Sequence, residues 1–255
     1  MVARIVAIIN QKGGVGKTTT STNLSYAVAQ RGRKVTVIDL DPQGHLAVSL
    51  GVFDSNRPGI DEVMLGRSDI AENIIQVRKN LQLLVAGPKL VEVEQSQSPK
   101  NETIMGGVLR QALQGSLEDQ DFVFIDCPPS SGLLVANALF AADEILIPMT
   151  SDYLALQGLS YMMGTIMKFE DALNKKYKLL LVMSRYVARR RITTEVLNTV
   201  LAYFPNQVLK TVIRETSLLA ECPSSGETIL EYRPQCQSAK DFKNLANDFI
   251  EGRVM

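Results

Sequence analysis

The sequence predicts an α/β fold: a single-domain, doubly wound, mostly parallel sheet with helices on both faces, spanning residues 1–255. Short apolar runs alternate with longer helical stretches. The runs are nearly continuous, as expected of strands buried on both faces. The repeated strand–helix–strand order implies parallel pairing through right-handed crossovers. The expected strands are Arg4–Ile9, Lys34–Ile38, Leu81–Ala86, Phe122–Ile125, Glu144–Pro148, Lys178–Met183 and Val208–Ile213. Between them the expected helices are Lys17–Arg31, Thr103–Gln114, Gly132–Ala141, Leu154–Ala172, Thr193–Tyr203 and Ser238–Ile250. The polar stretch Glu92–Glu102 reads as an exposed loop. No composition shift marks a second domain.

Composition removes whole classes of function. With 45% hydrophobic and 21% charged residues, the chain is neither disordered nor fibrous. Its 27 basic and 27 acidic side chains cancel, so nucleic-acid binding through bulk charge is excluded and any such binding needs a local patch. Cys127, Cys222 and Cys236 form no C-x-x-C pair, which argues against a disulfide framework or a zinc site and suits reduced thiols in the cytoplasm. His45 is the only histidine, so no histidine metal cluster can form and no base is at hand to activate Cys127.

The strongest signal is Asn10–Thr19, NQKGGVGKTT, directly after the first strand and opening the first helix. Gly13, Gly14 and Gly16 permit a compact loop whose backbone N–H groups face inward. The helix starting near Lys17 adds the positive end of its dipole. Together these suit a polyphosphate. Lys17 would contact the β- and γ-phosphates, the Thr18 hydroxyl would hold Mg²⁺, and Gln11, Lys12, Val15 and Thr19 complete the loop. Gln11 stands where the usual pattern begins with glycine, and Lys12 follows it, giving the deviant form K-G-G-x-G-K-T.

Two further strands end in carboxylates. In Val35–Gln43, VTVIDLDPQ, Asp39 and Asp41 are two residues apart near a strand's carboxyl end, where open α/β sheets bind ligands. Asp41 is the candidate for orienting the attacking water, and Asp39 for a place near Mg²⁺ or its water shell. In Asp121–Pro129, DFVFIDCPP, a hydrophobic strand delivers Asp126 beside Mg²⁺. Pro128 and Pro129 then force the chain out of the strand.

On the deviant loop, and on DPQG, DCPPS, IPMTSDYLALQG, KTVI and ECPSSG in this order, the chain resembles the ParA/MinD group of ATPases, and within it the short Soj-like partition ATPases that lack an amino-terminal DNA-reading domain. The resemblance implies ATP and Mg²⁺ as cofactors and catalytic roles for Lys12, Lys17 and Asp41. It also implies a nucleotide-sandwich homodimer in which Lys12 reaches the partner's phosphates, and places Asp152 near that interface. It further implies slow ATP hydrolysis stimulated by a ParB-like or cargo-adaptor protein, non-specific DNA binding, and a cytoplasmic, nucleoid-associated location without stable membrane attachment. For the adenine side, Ser184 and the Glu221–Pro223 segment, with Cys222 and Pro223, are candidates.

The sequence departs from this family at two places. Leu218 stands where the family usually carries a DNA-binding arginine, and Ser184-Arg185-Tyr186 looks closer to the MinD segment. The other DNA-binding arginine of the family matches Arg189, within a patch of Arg185, Arg189, Arg190 and Arg191. From Arg185 to Arg214 six basic residues face one acid, Glu195. Such a cluster can neutralise phosphates without reading bases. Two other functions compete with DNA-bound positioning. A MinD-like membrane-surface ATPase would use the terminal helix, with Phe242, Leu245, Ala246 and Phe249 at helical spacing. A metabolic P-loop enzyme would be either a nitrogenase-reductase-like protein, which needs bridging cysteines for an iron–sulfur cluster while no second cysteine stands at a suitable spacing from Cys127, or a synthetase, which needs a substrate pocket that the sequence does not reveal.

Overall fold

A computed structural model describes residues 3–95 and 107–255. Seven strands form one sheet: β1 (Arg4–Ile8), β2 (Val35–Asp39), β3 (Ile75–Arg78), β4 (Leu81–Leu84), β5 (Phe122–Asp126), β6 (Glu144–Thr150) and β7 (Lys178–Ser184). Their order across the sheet is β3-β4-β2-β5-β1-β6-β7. All neighbours are parallel except β3 and β4. The chain therefore winds both ways from β1, which lies between β5 and β6. The central strands β2 and β5 are buried at every position, which is why their apolar runs are unbroken.

Helices cover both faces, and each face has its own core. Against one pack α1 (Lys17–Ala29), α2 (His45–Ser49), α10 (Leu218–Ser225), α11 (Ile229–Tyr232) and α12 (Gln237–Glu251), around Leu24, Val28, Leu46, Phe124 and Phe249. Against the other pack α3 (Ile60–Met64), α4 (Ile70–Asn73), α5 (Leu90–Gln95), α6 (Val108–Leu113), α7 (Leu133–Ala141), α8 (Tyr153–Leu173) and α9 (Arg191–Tyr203), around Ile60, Leu109, Leu134, Leu159 and Val196. The sequence of α1, KTTTSTNLSYAVA, is rich in threonine and serine, which are poor intrinsic helix formers; burial against α12 holds it instead.

Two expectations are corrected, and several elements were not expected. Val208–Ile213 forms isolated bridges rather than a ladder. It touches β7 at Leu181 and the chain end at Val254, and Lys210 N–H turns to the Arg253 carbonyl. The edge strand β3, IQVR, escapes a search for apolar runs because it is only half buried; Arg78 ties it to Glu231 of α11 at 2.6 Å. The short helices α2, α3 and α4 span too few turns to show a period. Finally, Leu90–Gln95 is helical, so the expected loop Glu92–Glu102 begins inside α5. The remainder of that stretch, and the first residues of the expected helix Thr103–Gln114, lie outside the described residues.

The terminal helix α12 spends its apolar face on the fold. Phe242, Leu245, Ala246 and Phe249 are fully buried, so the face that a membrane-surface reading requires is already covered. Among the described residues no helix is long and apolar enough to cross a membrane.

Candidate functional site

The carboxyl ends of β1, β2 and β5 meet beneath the loop between β1 and α1. Gly14 and Gly16 hold φ of 72° and 89°, a left-handed geometry that side chains resist, and this bends the loop tightly enough to cap α1 with its own backbone. Lys17, the first residue of α1, is buried, and its Nζ donates to the Lys12 carbonyl at 3.2 Å. Burial pulls the Lys17 pKa below its ordinary value, against the pull of Asp126 and Asp41.

Asp126 ends β5 and is completely buried. Its Oδ1 accepts from the Ser21 hydroxyl at 2.7 Å; Oδ2 has no hydrogen-bond partner among the described residues. Burial raises the carboxyl pKa to about 6, opposed by the Ser21 and Thr18 hydroxyls and reinforced by Asp41. An orphaned buried carboxylate oxygen beside a hydroxyl and an ammonium suits Mg²⁺ on a nucleotide, which takes few protein ligands and completes its shell with phosphate and water. Among the described residues no group of three or more His, Cys, Asp or Glu forms a metal site of its own.

Asp39 is the register partner of Asp126 on β2. It stands beside the candidate Mg²⁺ ligand, with its oxygens turned to the backbone. It is completely buried, and its two oxygens accept the N–H groups of Asp41 at 3.0 Å and Leu46 at 3.2 Å. Burial, then the neighbouring Asp126, raises its pKa well above the usual carboxylate range. Asp39 thus shapes the turn rather than facing the cleft. Asp41 does line the cleft, half-buried, with Oδ1 accepting the Gln43 N–H at 3.0 Å. Cys127 is buried and its thiol pKa is pushed up by burial, in keeping with a packing role.

Lys12 stands at the loop's rim. Its Nζ lies 3.0 Å from both Asp152 oxygens, and Asp152 also caps α8 by accepting the Ala155 N–H. Gln11 turns aside into a small cavity with Pro128 and Ser130, and the Val15 side chain is buried. Thr18 and Thr19 line the main cleft, a space of about 570 Å³ that runs on from the loop to Ile213, Glu215, Leu219 and Ala220.

At this far end the structure redistributes the expected residues. Ser184 is buried, and its hydroxyl donates to the Val15 carbonyl at 2.6 Å with the Met149 carbonyl 3.1 Å away, so it stitches β7 to the loop. Cys222 and Pro223 do not line the cleft. The segment is helical, so Leu219 and Ala220 face the cleft while Cys222 packs into the core and bonds the Leu218 carbonyl. Burial pushes the Cys222 thiol up to about 11. Arg185 leaves the expected arginine patch: its guanidinium reaches Glu215 and the Gly14 carbonyl. Arg189 and Arg190 are exposed and their side chains have no partner among the described residues, and Arg191 pairs with Glu195 at 2.7 Å. Sequence reasoning missed Ser21 and Glu215. Ser21 was signalled by its position one turn beyond Lys17, whereas Glu215 carried no local signal.

Known proteins resemble this chain along most of its length. Residues 3–179 match a family described as an AAA domain. The chain is 36% identical over 255 residues to the chromosome partitioning protein ParA of Myxococcus xanthus, across 98% of this chain and 89% of that protein. It is also 36% identical over 249 residues to the sporulation initiation inhibitor protein Soj of Bacillus subtilis, across 96% and 97% of the two chains. A cobyrinic acid a,c-diamide synthase from Mycobacterium smegmatis, solved with ADP and magnesium, superposes with a TM-score of 0.81 at 28% identity, covering 100% of this chain and 98% of that one. Kinship of this depth along nearly the full length makes the chain a member of the ParA/Soj family of partition ATPases.

Proposed function

We propose that this partition ATPase works as an ATP-driven positioning switch whose two-lysine loop binds one triphosphate between two subunits. The observation carrying this reading is the unequal setting of the two lysines. Lys17 is buried against its own loop, whereas Lys12 sits at the rim, 39% exposed, its ammonium held among the described residues only by a carboxylate that is itself 47% exposed. An exposed ion pair of this kind is worth little and is easily exchanged. Lys12 would leave Asp152 for the γ-phosphate bound by a partner subunit. A second cation there would stabilise charge that develops during phosphoryl transfer, so hydrolysis would depend on dimerisation.

The cleft residues take complementary roles. Thr18 and Asp126 would hold Mg²⁺, whose charge offsets that of the β- and γ-phosphates. Asp41 would orient the attacking water, and the loop from Gly13 to Thr19 would cradle the phosphates. Exposed Arg189, Arg190 and Arg191 would contact DNA phosphates without reading sequence. A dimer doubles that patch, which raises both affinity and its salt dependence. A ParB-like or cargo-adaptor protein would stimulate the weak hydrolysis and release the dimer from the nucleoid in the cytoplasm, so that a plasmid, chromosome or protein cluster is positioned.

Light scattering with Mg²⁺ and a non-cleavable ATP analogue tests the switch. A dimer is expected for the wild type and a monomer for Lys12→Ala. A wild-type chain that stays monomeric at saturation refutes the reading. Arg189→Glu with Arg190→Glu should abolish DNA retention and leave the dimer intact; unchanged retention removes the patch from the scheme.

A further inference from the structure

Beyond the phosphate loop, the cleft is bordered by a feature that the switch does not use. Arg185 follows β7 with φ of 49°. The other non-glycine residues with positive φ, among those described, are Asn80, Asn174 and Asn206, and asparagine tolerates this geometry far better than arginine. A strained arginine beside a ligand cleft points to a use for its side chain. Its Nε and Nη2 donate to Glu215 Oε1 at 3.1 and 2.7 Å, and its Nη1 lies 3.4 Å from the Gly14 carbonyl. Glu215 is held opposite by backbone: its N–H donates to the Tyr186 carbonyl at 3.2 Å, and Tyr186 N–H donates to the Ile213 carbonyl at 2.9 Å. Glu215 Oε2 has no partner among the described residues. The neighbouring Arg214 is committed elsewhere, to Asp241 at 2.7 Å. Between these groups the wall is apolar, formed by Ile213, Leu219 and Ala220.

We infer that Arg185 and Glu215 form the nucleoside-gripping rim of this cleft and select ribonucleotides. This rests on the reading of the loop as a triphosphate site. A guanidinium plane can lie on the face of a base whose other face meets the apolar wall. A carboxylate with a free oxygen can accept from ribose hydroxyls. The bond from Arg185 to the Gly14 carbonyl joins the nucleoside rim to the phosphate loop. Arg185 is therefore a nucleotide-binding residue and no part of the arginine patch.

Calorimetry with ATP, 2′-deoxy-ATP and inorganic tripolyphosphate, each with Mg²⁺, tests this. Arg185→Gly removes the guanidinium while suiting the backbone, so the fold should hold, as read by an unchanged or raised melting midpoint. It should weaken ATP about tenfold, the order expected when a desolvated guanidinium–base stacking contact is lost, and leave tripolyphosphate within about twofold. Arg185→Lys should recover only part of the affinity, lacking the planar fork. Glu215→Gln should shrink the preference for ATP over 2′-deoxy-ATP. Unchanged ATP affinity in both Arg185→Gly and Glu215→Gln overturns the inference, as does a weakening shared equally by tripolyphosphate. If the wild type binds tripolyphosphate as tightly as ATP, only the nucleoside rim fails; if it binds neither, the triphosphate reading fails with it.

Discussion

The two ends of the sheet handle charge in opposite ways. At the amino ends of β1, β6 and β7 the first residues are Arg4, Glu144 and Lys178, so the signs alternate between neighbouring strands. Arg4 binds both Glu144 oxygens at 2.6 and 2.8 Å and lies over the rings of Phe122 and Phe249, and Lys178 reaches Glu144 at 3.3 Å. At the carboxyl ends, β2 and β5 finish on Asp39 and Asp126, two buried carboxylates in register, and one Asp126 oxygen is unpartnered among the described residues. The first end is satisfied and serves stability. The second is frustrated, and on the proposed function it would be relieved by a cation and phosphates, as expected of a ligand site.

This contrast can be broken from either end. The largest effect is expected from Lys17→Ala, which removes the buried cation. ATP affinity should fall at least about a hundredfold by calorimetry, the order expected when a buried ammonium no longer meets the phosphates. Retained tight binding would show that the carboxyl end does not need its ammonium. Asp126→Asn should split two quantities: turnover should drop at least about tenfold, while the ligand-free protein should gain about 1–2 kcal/mol in urea titration because a buried charge disappears. A drop in stability would mean that the frustration is not there.

Glu144→Gln should do the reverse, costing about 1–2 kcal/mol and leaving ATP affinity within about twofold. Its pH dependence has a definite sign. Burial pushes the Glu144 pKa up, but Arg4 and Lys178 outweigh it and hold the carboxyl below its ordinary value of 4.5. The pair's contribution is therefore full above about pH 4.5 and disappears as pH falls through the depressed value. The gap between wild type and Glu144→Gln should narrow only in that acid range; a gap that widens on acidification would contradict the assignment. The smallest effect belongs to Lys34→Ala. Its 3.4 Å pair with Asp119 is exposed on both sides, so no measurable shift of the urea midpoint is expected.

What the sequence revealed follows the same division. Strands buried on both faces were legible as apolar runs, and the loop was legible because glycines and lysines must stand at fixed spacing. Asp126 was legible as the polar residue ending such a run. The pairing of Arg185 with Glu215 was not, because thirty positions separate them and only the run of both segments beside the cleft brings them together. Nor was the turn-shaping role of Asp39, since an aspartate two residues before another aspartate reads equally well as a ligand. The edge strand β3 and the bridges at Val208–Ile213 show the limit of apolar runs, because pairing there depends on Arg78 and the chain end rather than on hydrophobicity.

Asp39 carries one more consequence. A single carboxylate fastens both ends of the bend from Asp41 to Leu46, so the direction in which Asp41 points is inherited from a residue sealed away from solvent. A mutational screen scored only by phosphate release would rank Asp39 among the chemical groups. The two aspartates should part company in hydrogen exchange, where removing Asp39 releases the amides at both ends of the bend, Asp41 and Leu46, and removing Asp41 releases only that of Gln43 between them.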